Sequence, residues 1–225
     1  MMGDCNGQDK RDFTSSELGT KEYWDEVYKL ELENYNESKD IGEIWFGENC
    51  QASVIRWIKN CEKIKKDSAI VDLGCGNGAL LIELARQGFS CLTGFDYSEN
   101  AITFAKTISA EENFNNIIFE VGDILNEESC LAFNQKYQVC HDKGTYDAIS
   151  LMSDNFKPLQ MSYIKVVKKI LNEGGFFIIT SCNWTKDQLL EQFSNDFHFN
   201  EVIPTSTFQF GGSTGSKYTT LVLIK

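Results

Sequence analysis

Four aspartates stand where apolar runs end, and their spacing suggests a ligand site. Asp72 lies within VDLGCGNGA (Val71 to Ala79), directly before the glycines at 74, 76 and 78. Asp96 closes the run Cys91 to Phe95, twenty residues beyond Gly76, and is followed by Tyr97. Asp123 follows Ile117 to Val121 in EVGDIL, with Ile124 beside it. Asp142 comes after the apolar stretch that starts at Tyr137, and Lys143 and Gly144 follow. A single Asp in such a place is read as a turn former or a helix cap. An ordered set at the carboxyl ends of successive strands reads differently, because that edge is where open α/β sheets bind ligands.

The glycine turn narrows the ligand class. Dinucleotide sites favour G-x-G-x-x-G, whose turn and helix start receive a pyrophosphate. Here the pattern is G-x-G-x-G, with Asp72 just ahead of it. A fixed carboxylate repels a diphosphate and attracts an ammonium. S-adenosylmethionine carries an amino-acid ammonium and no phosphate, so the loop favours it as cofactor. On that reading Gly74, Gly76 and Gly78 form the turn and Asp96 takes two ribose hydroxyls. Asp123 accepts from an adenine amino group, Ile124 packs on the ring, and Tyr97 belongs to the same set.

Asp142 is expected in the active-site wall, touching donor and acceptor, whereas Lys143 is read as structural because a cation repels a sulfonium. Trp45, in IGEIWFGE, either covers the cofactor or packs the N-terminal helices. Trp184, in SCNWT, either lines an acceptor channel through cation–π contact or plugs the sheet end. His141 is read as a satisfied strand residue, and Cys75 as a small space-filler.

The elements that must position these residues follow from periodicity. Helical spacing runs from Ser16 to Tyr35 and from Ser53 to Cys61. Alternation begins after that. Strands are expected at Ala69–Leu73, Cys91–Phe95, Ile117–Val121, Tyr137–His141 and Gly175–Cys182. Helices are expected at Ala79–Gln87, Glu99–Glu111, Leu159–Leu171 and Thr185–Phe193. Strands alternating with helices imply a parallel sheet covered on both faces. Two further strand-like segments, Glu201–Phe210 and Lys217–Ile224, flank GGSTGS as a hairpin. One α/β domain is expected over 17–225, with a helical extension at 17–62 and a disordered tail at 1–16.

Composition limits the partners. Of 225 residues, 33 are acidic and 21 basic, a net charge of −12. That balance argues against nucleic acid, whose phosphates need a basic patch, and suits a basic protein better. Eight cysteines without a C-x-x-C pair and only two histidines make a metal site unexpected. A polar start without a secretory core and no membrane-length apolar run point to a cytoplasmic protein, with the nucleus as a second compartment. A monomer is expected.

DLGCGNG, Asp96 and VGDI, in that order, resemble the seven-strand (class I) S-adenosylmethionine-dependent methyltransferases. SELGTKEYWDEVYKLEL, KDIGEIWFGE, DKGTYDAISL, ITSCNWTKDQLL and the terminal FGG resemble one group of them, the elongation factor 1-alpha lysine methyltransferases of the methyltransferase-like type. The similarity covers residues 16–225. It implies a Rossmann-like sheet of seven strands, the last antiparallel, and a protein lysine as methyl acceptor, with elongation factor 1-alpha as partner. Many amino-methylating relatives carry N/D-P-P-Y/F after the fourth strand, whereas this chain has DKGT there, so that motif's roles do not transfer. The rival readings are a small-molecule methyltransferase, which shares the cofactor motifs, and a non-catalytic cofactor-binding scaffold.

Overall fold

The computed structural model describes residues 14–126, 128–129, 131–205, 207–210 and 213–225. Most of the expected tail lies outside these residues. Its last three, Thr14 to Ser16, are described and tethered: the Ser15 amide donates to the Asp154 carboxylate at 2.9 Å, and that of Ser16 to the Leu151 carbonyl at 3.0 Å.

Five strands form the parallel part of one sheet: β1 (Ile70–Leu73), β2 (Leu92–Asp96), β3 (Ile118–Val121), β4 (Tyr137–Lys143) and β5 (Leu171–Ser181). Two more complete it, β6 (His198–Val202) and β9 (Thr219–Ile224). The spatial order is β3-β2-β1-β4-β5-β9-β6, with β9 antiparallel to both its neighbours. Between β6 and β9 a separate ribbon forms from β7 (Thr207–Phe210) and β8 (Ser213–Ser216). The first of the two C-terminal strands expected from sequence, Glu201–Phe210, is therefore divided into β6 and β7; β8 falls within GGSTGS, and the second expected strand is present as β9. Pro204 follows β6, and proline cannot donate to a ladder.

Among the described residues seven α-helices surround this sheet. They are α1 (Lys21–Ser38), α2 (Glu48–Asn60), α3 (Ala79–Arg86), α4 (Glu99–Glu111), α5 (Thr145–Ser150), α6 (Lys157–Ile170) and α7 (Lys186–Phe193). Local chemistry sets several of their starts. Thr20, Ser98 and Thr185 each accept a backbone N–H at the first turn of α1, α4 and α7, and Gln188 completes a capping box with Thr185. Helix α5, of 6 residues, is too short to carry a clear 3.6-residue period in the sequence. Helix α2 starts earlier than expected, at Glu48.

Because successive strand side chains point to opposite faces, the sheet carries two cores. Val54 and Ile58 of α2, Leu81 and Leu84 of α3 and Phe104 of α4 pack with Ile70, Val139 and Ile178 on one face. Tyr146 of α5, Tyr163 and Val167 of α6 and Phe193 of α7 pack with Val71, Cys140 and Phe177 on the other. Asp72, His141 and Lys143 continue the first set of positions towards the strands' carboxyl ends. Asp142 continues the second.

Candidate functional site

The carboxyl ends of β1 to β4 open into a cleft of ≈ 1190 Å³ of empty space, its open mouth included. The turn after β1 forms its floor. Gly74 and Gly76 have φ of 70° and 52°, which side chains rarely adopt. A Cβ on Gly74 would overlap the Thr145 hydroxyl, and one on Gly76 the Tyr28 hydroxyl. Thr145 donates to the Leu73 carbonyl at 2.6 Å, so the start of α5 is pinned to the end of β1. Gly78 does not line the cleft. It faces Phe119 and Ala105, where it allows α3 to approach β3 and α4.

Asp96 sits on the floor, almost fully buried. It accepts the Gly76 amide at 3.1 Å and the Ser98 amide at 3.0 Å. Burial pushes its carboxyl up to about 6, opposed by those two donors and reinforced by Asp72. Asp123 and Ile124 line the end of the cleft over β3, where Asp123 accepts the Leu125 amide at 2.9 Å. Tyr97 lines the cleft too, its hydroxyl donating to the Thr20 carbonyl at 3.3 Å.

The aromatic roof comes from the N-terminal segment. Trp24 of α1 meets Trp45 edge-on at 5.0 Å and stacks with Tyr28 at 6.1 Å. Phe46 stacks on Tyr218 at 5.8 Å. Trp45 thus both lines the cleft and packs on α1, so its two readings are compatible. Asp147 of α5 and Asn183, just past β5, also line the cleft. Asp147 accepts the Ser181 hydroxyl and, at 2.8 Å, the Cys182 amide, and burial raises its carboxyl above the ordinary range.

Asp142, Trp184 and Asp72 also depart from expectation, the first because of the strand pleat. Asp142 is fully buried, does not line the cleft, and lies under α5 and α6. It accepts the Thr145 amide at 3.1 Å, the Tyr146 amide at 3.1 Å and the Tyr163 hydroxyl at 2.6 Å. Its neighbour Lys143, one position along the strand, faces the cleft. Trp184 also stays out of the cleft; it is buried against Phe156, stacked at 5.7 Å, and plugs the sheet end. Asp72 lies behind the floor, in a recess that shares Gly74, Cys75, Asn77 and Lys143 with the cleft. It pairs with His141 Nδ1 at 2.6 Å, and among the described residues His141 Nε2 has no partner.

Asp147 and Asn183 are cleft residues that sequence reasoning did not single out, and Lys143, read from sequence as structural, lines the cleft with them. Counting the pleat outward from Val139 reaches Lys143, and SCNWT contains Asn183 beside the tryptophan that drew attention. For Asp147 no periodic signal existed, because α5 is so short.

Fold and cleft together define a methyltransferase domain. The family model described as "Methyltransferase domain" matches residues 64–222, and the chain belongs to that family. It is 48% identical over 222 residues to EEF1A lysine methyltransferase 2 of Danio rerio, covering 98% of this chain and 94% of the relative. It is 37% identical over 229 residues to the protein-lysine N-methyltransferase EFM4 of Saccharomyces cerevisiae, covering 97% and 99%. Among solved structures, the N-methyltransferase NodS from Bradyrhizobium japonicum in complex with S-adenosyl-l-homocysteine shares the fold. Its TM-score is 0.65 at 13% identity, over 89% of this chain and 97% of that one.

Proposed function

We propose that this protein is an S-adenosylmethionine-dependent protein-lysine N-methyltransferase whose substrate is translation elongation factor 1-alpha. The carrying observation for the cofactor is the row of ligand groups across β3, β2 and β1: Asp123, then Asp96, then the glycine turn with Asp72 behind it. The residues fit such a ligand. Asp96 keeps lone pairs for a diol after accepting two amides. Ile124 offers an apolar face beside Asp123. The substrate class is supported by relatives at 48% and 37% identity, named for lysine methylation, which match nearly the whole chain.

When bound, the cofactor supplies an electrophilic methyl on a sulfonium. The chain's own task is to present a neutral amine in line with it. A free lysine with pKa near ~10.4 is neutral about once in ~2,500 molecules at pH 7, a cost of roughly 4.6 kcal/mol. Enclosing the amine under Trp24, Trp45 and Phe46 lowers its pKa and shrinks that cost. Asp147 and Asn183 are polar groups lining the cleft that can hold the amine's remaining hydrogens. Asp142 then serves as a positioning residue, holding α5 and with it Asp147 and Thr145.

Cytoplasmic location and action as a monomer go with this reading, checked by fractionation and by light scattering. The central test mixes the protein with labelled S-adenosylmethionine and either purified elongation factor 1-alpha or a cell extract. Label on a lysine of elongation factor 1-alpha, mapped by mass spectrometry, is the expected result. Label on a small molecule, or binding without transfer, would replace this reading with one of its rivals.

A further inference from the structure

Lys143 has no role in the reading so far, yet its position is unusual. It lines both the cleft and the recess behind the floor. Among the described residues its ammonium makes no hydrogen bond and no ion pair within 4.0 Å. Asp72, in the same recess, is engaged with His141 and exerts only a longer-range attraction on it. Burial lowers the lysine's pKa, opposed by the more distant charges of Asp72, Asp142 and Glu43. A half-enclosed cation opening onto a ligand cleft calls for an anion.

The order of the strands says which part of a ligand meets it. Asp123 follows β3, Asp96 ends β2, Asp72 belongs to β1 and Lys143 ends β4, and these strands are neighbours in that sequence. Adjacent strands lie about 4.8 Å apart, so the row spans roughly 14 Å. A nucleoside extended by a four-carbon amino-acid tail has a similar reach. With its base at β3 and its sugar at β2, its tail ends over β1 and β4. A zwitterionic tail end matches an acid followed by an unpaired base, with Glu43 of the cleft wall a further acid near Lys143.

Resting on the cofactor reading above, we propose that Asp72 and Lys143 form a two-charge clamp for the cofactor's amino-acid end, with Lys143 receiving its α-carboxylate. Asp72 draws the ammonium, and the carboxylate neutralises Lys143. The repulsion between Lys143 and a sulfonium is thereby offset by the ligand's own anion, which lies nearer. Lys143 becomes a specificity determinant: it distinguishes an amino-acid-bearing nucleoside from the same nucleoside with a simple amine tail. No proton or group is transferred.

Calorimetry with S-adenosylhomocysteine and its decarboxylated analogue tests this on the whole protein. Wild type should bind the carboxylated ligand at least about tenfold tighter, as a charge-assisted hydrogen bond requires. Lys143→Met should reduce that preference to within about threefold, mainly by weakening the carboxylated ligand, and Lys143→Arg should keep most of it. Lys143→Gln, which retains a polar group in the recess, is a second loss-of-charge variant should the Met form not fold. Two results overturn the clamp while leaving the cofactor reading intact. One is a wild type that binds both ligands equally. The other is a folded Met or Gln variant that still prefers the carboxylate, which would make Lys143 a core counter-charge to Asp72. Failure of wild type to bind either ligand would instead overturn the cofactor reading, and the clamp with it.

Discussion

Asp96 is subject to two opposing demands, burial and ligand binding. Its carboxyl titrates at about 6, so the folded chain holds that proton to higher pH than the unfolded chain does. The contribution of this group to stability is thus fully present below pH ~4 and is lost as pH rises through 6, on the order of 3 kcal/mol. Ribose hydroxyls donate to the ionised form, so ligand binding runs the other way. Affinity for S-adenosylhomocysteine should be flat above pH 6 and fall towards tenfold per unit below it, and Asp96→Asn should remove the slope; calorimetry from pH 5 to 8 reads both. Asp142 and Asp147 separate by the same kind of reasoning. Removing Asp142 leaves two amides and the Tyr163 hydroxyl without an acceptor. Asp142→Ala should cost about 3 kcal/mol, or roughly 6–12 °C in Tm, with affinity for S-adenosylhomocysteine changed less than about threefold. Asp147→Asn should keep Tm and cofactor affinity and lower kcat/KM for the protein substrate at least about tenfold. An Asp142→Ala form with unaltered Tm but no methyl transfer would restore Asp142 to the reacting centre.

At the scale of elements, the sequence announced its strands better than its faces. The alternation of β1, α3, β2, α4 and β3 was legible because each apolar run ends in Gly or Asp and each helix has a cap or a stop. Which side chains on β4 meet the cleft depends on a period of two, and a shift of one residue exchanges Asp142 for Lys143. Both are charged, so hydrophobic pattern alone could not settle that register. The N-terminal segment was legible as a helix, and Trp45 as either a cover or a packing residue, but sequence could not choose between these because what holds the roof is tertiary. The turn at Glu17–Gly19 lies against α5, and a Cβ on Gly19 would overlap the backbone of Leu151 and Met152. Gly19→Ala should therefore displace Leu18 and Trp24 from the cleft, weakening S-adenosylhomocysteine binding several-fold, while urea unfolding of the sheet core changes by less than about 1 kcal/mol. Equal losses in both would mean that the turn supports the core instead.

For the whole molecule, a net charge of −12 should act mainly on encounter. If the target lysine lies on a basic surface, kcat/KM should fall several-fold between about 50 and 300 mM salt while kcat stays nearly constant, because screening weakens steering more than chemistry. A salt-independent kcat/KM would show that charge plays no part in partner choice. Among the described residues no helix is long and apolar enough to cross a membrane. The position of β9 has a different kind of consequence. It is translated after both β5 and β6, yet it lies between them and, among the described strands, is the only one that pairs with β6. During synthesis, then, β5 and β6 leave the ribosome with open edges, and no earlier segment can fill the gap between them. The nascent chain must wait with those edges exposed until Thr219–Ile224 clears the exit tunnel. A chain stalled before that point should bind holdase chaperones and be cut readily by protease, and freeing the chain through Ile224 from the ribosome should abolish both together.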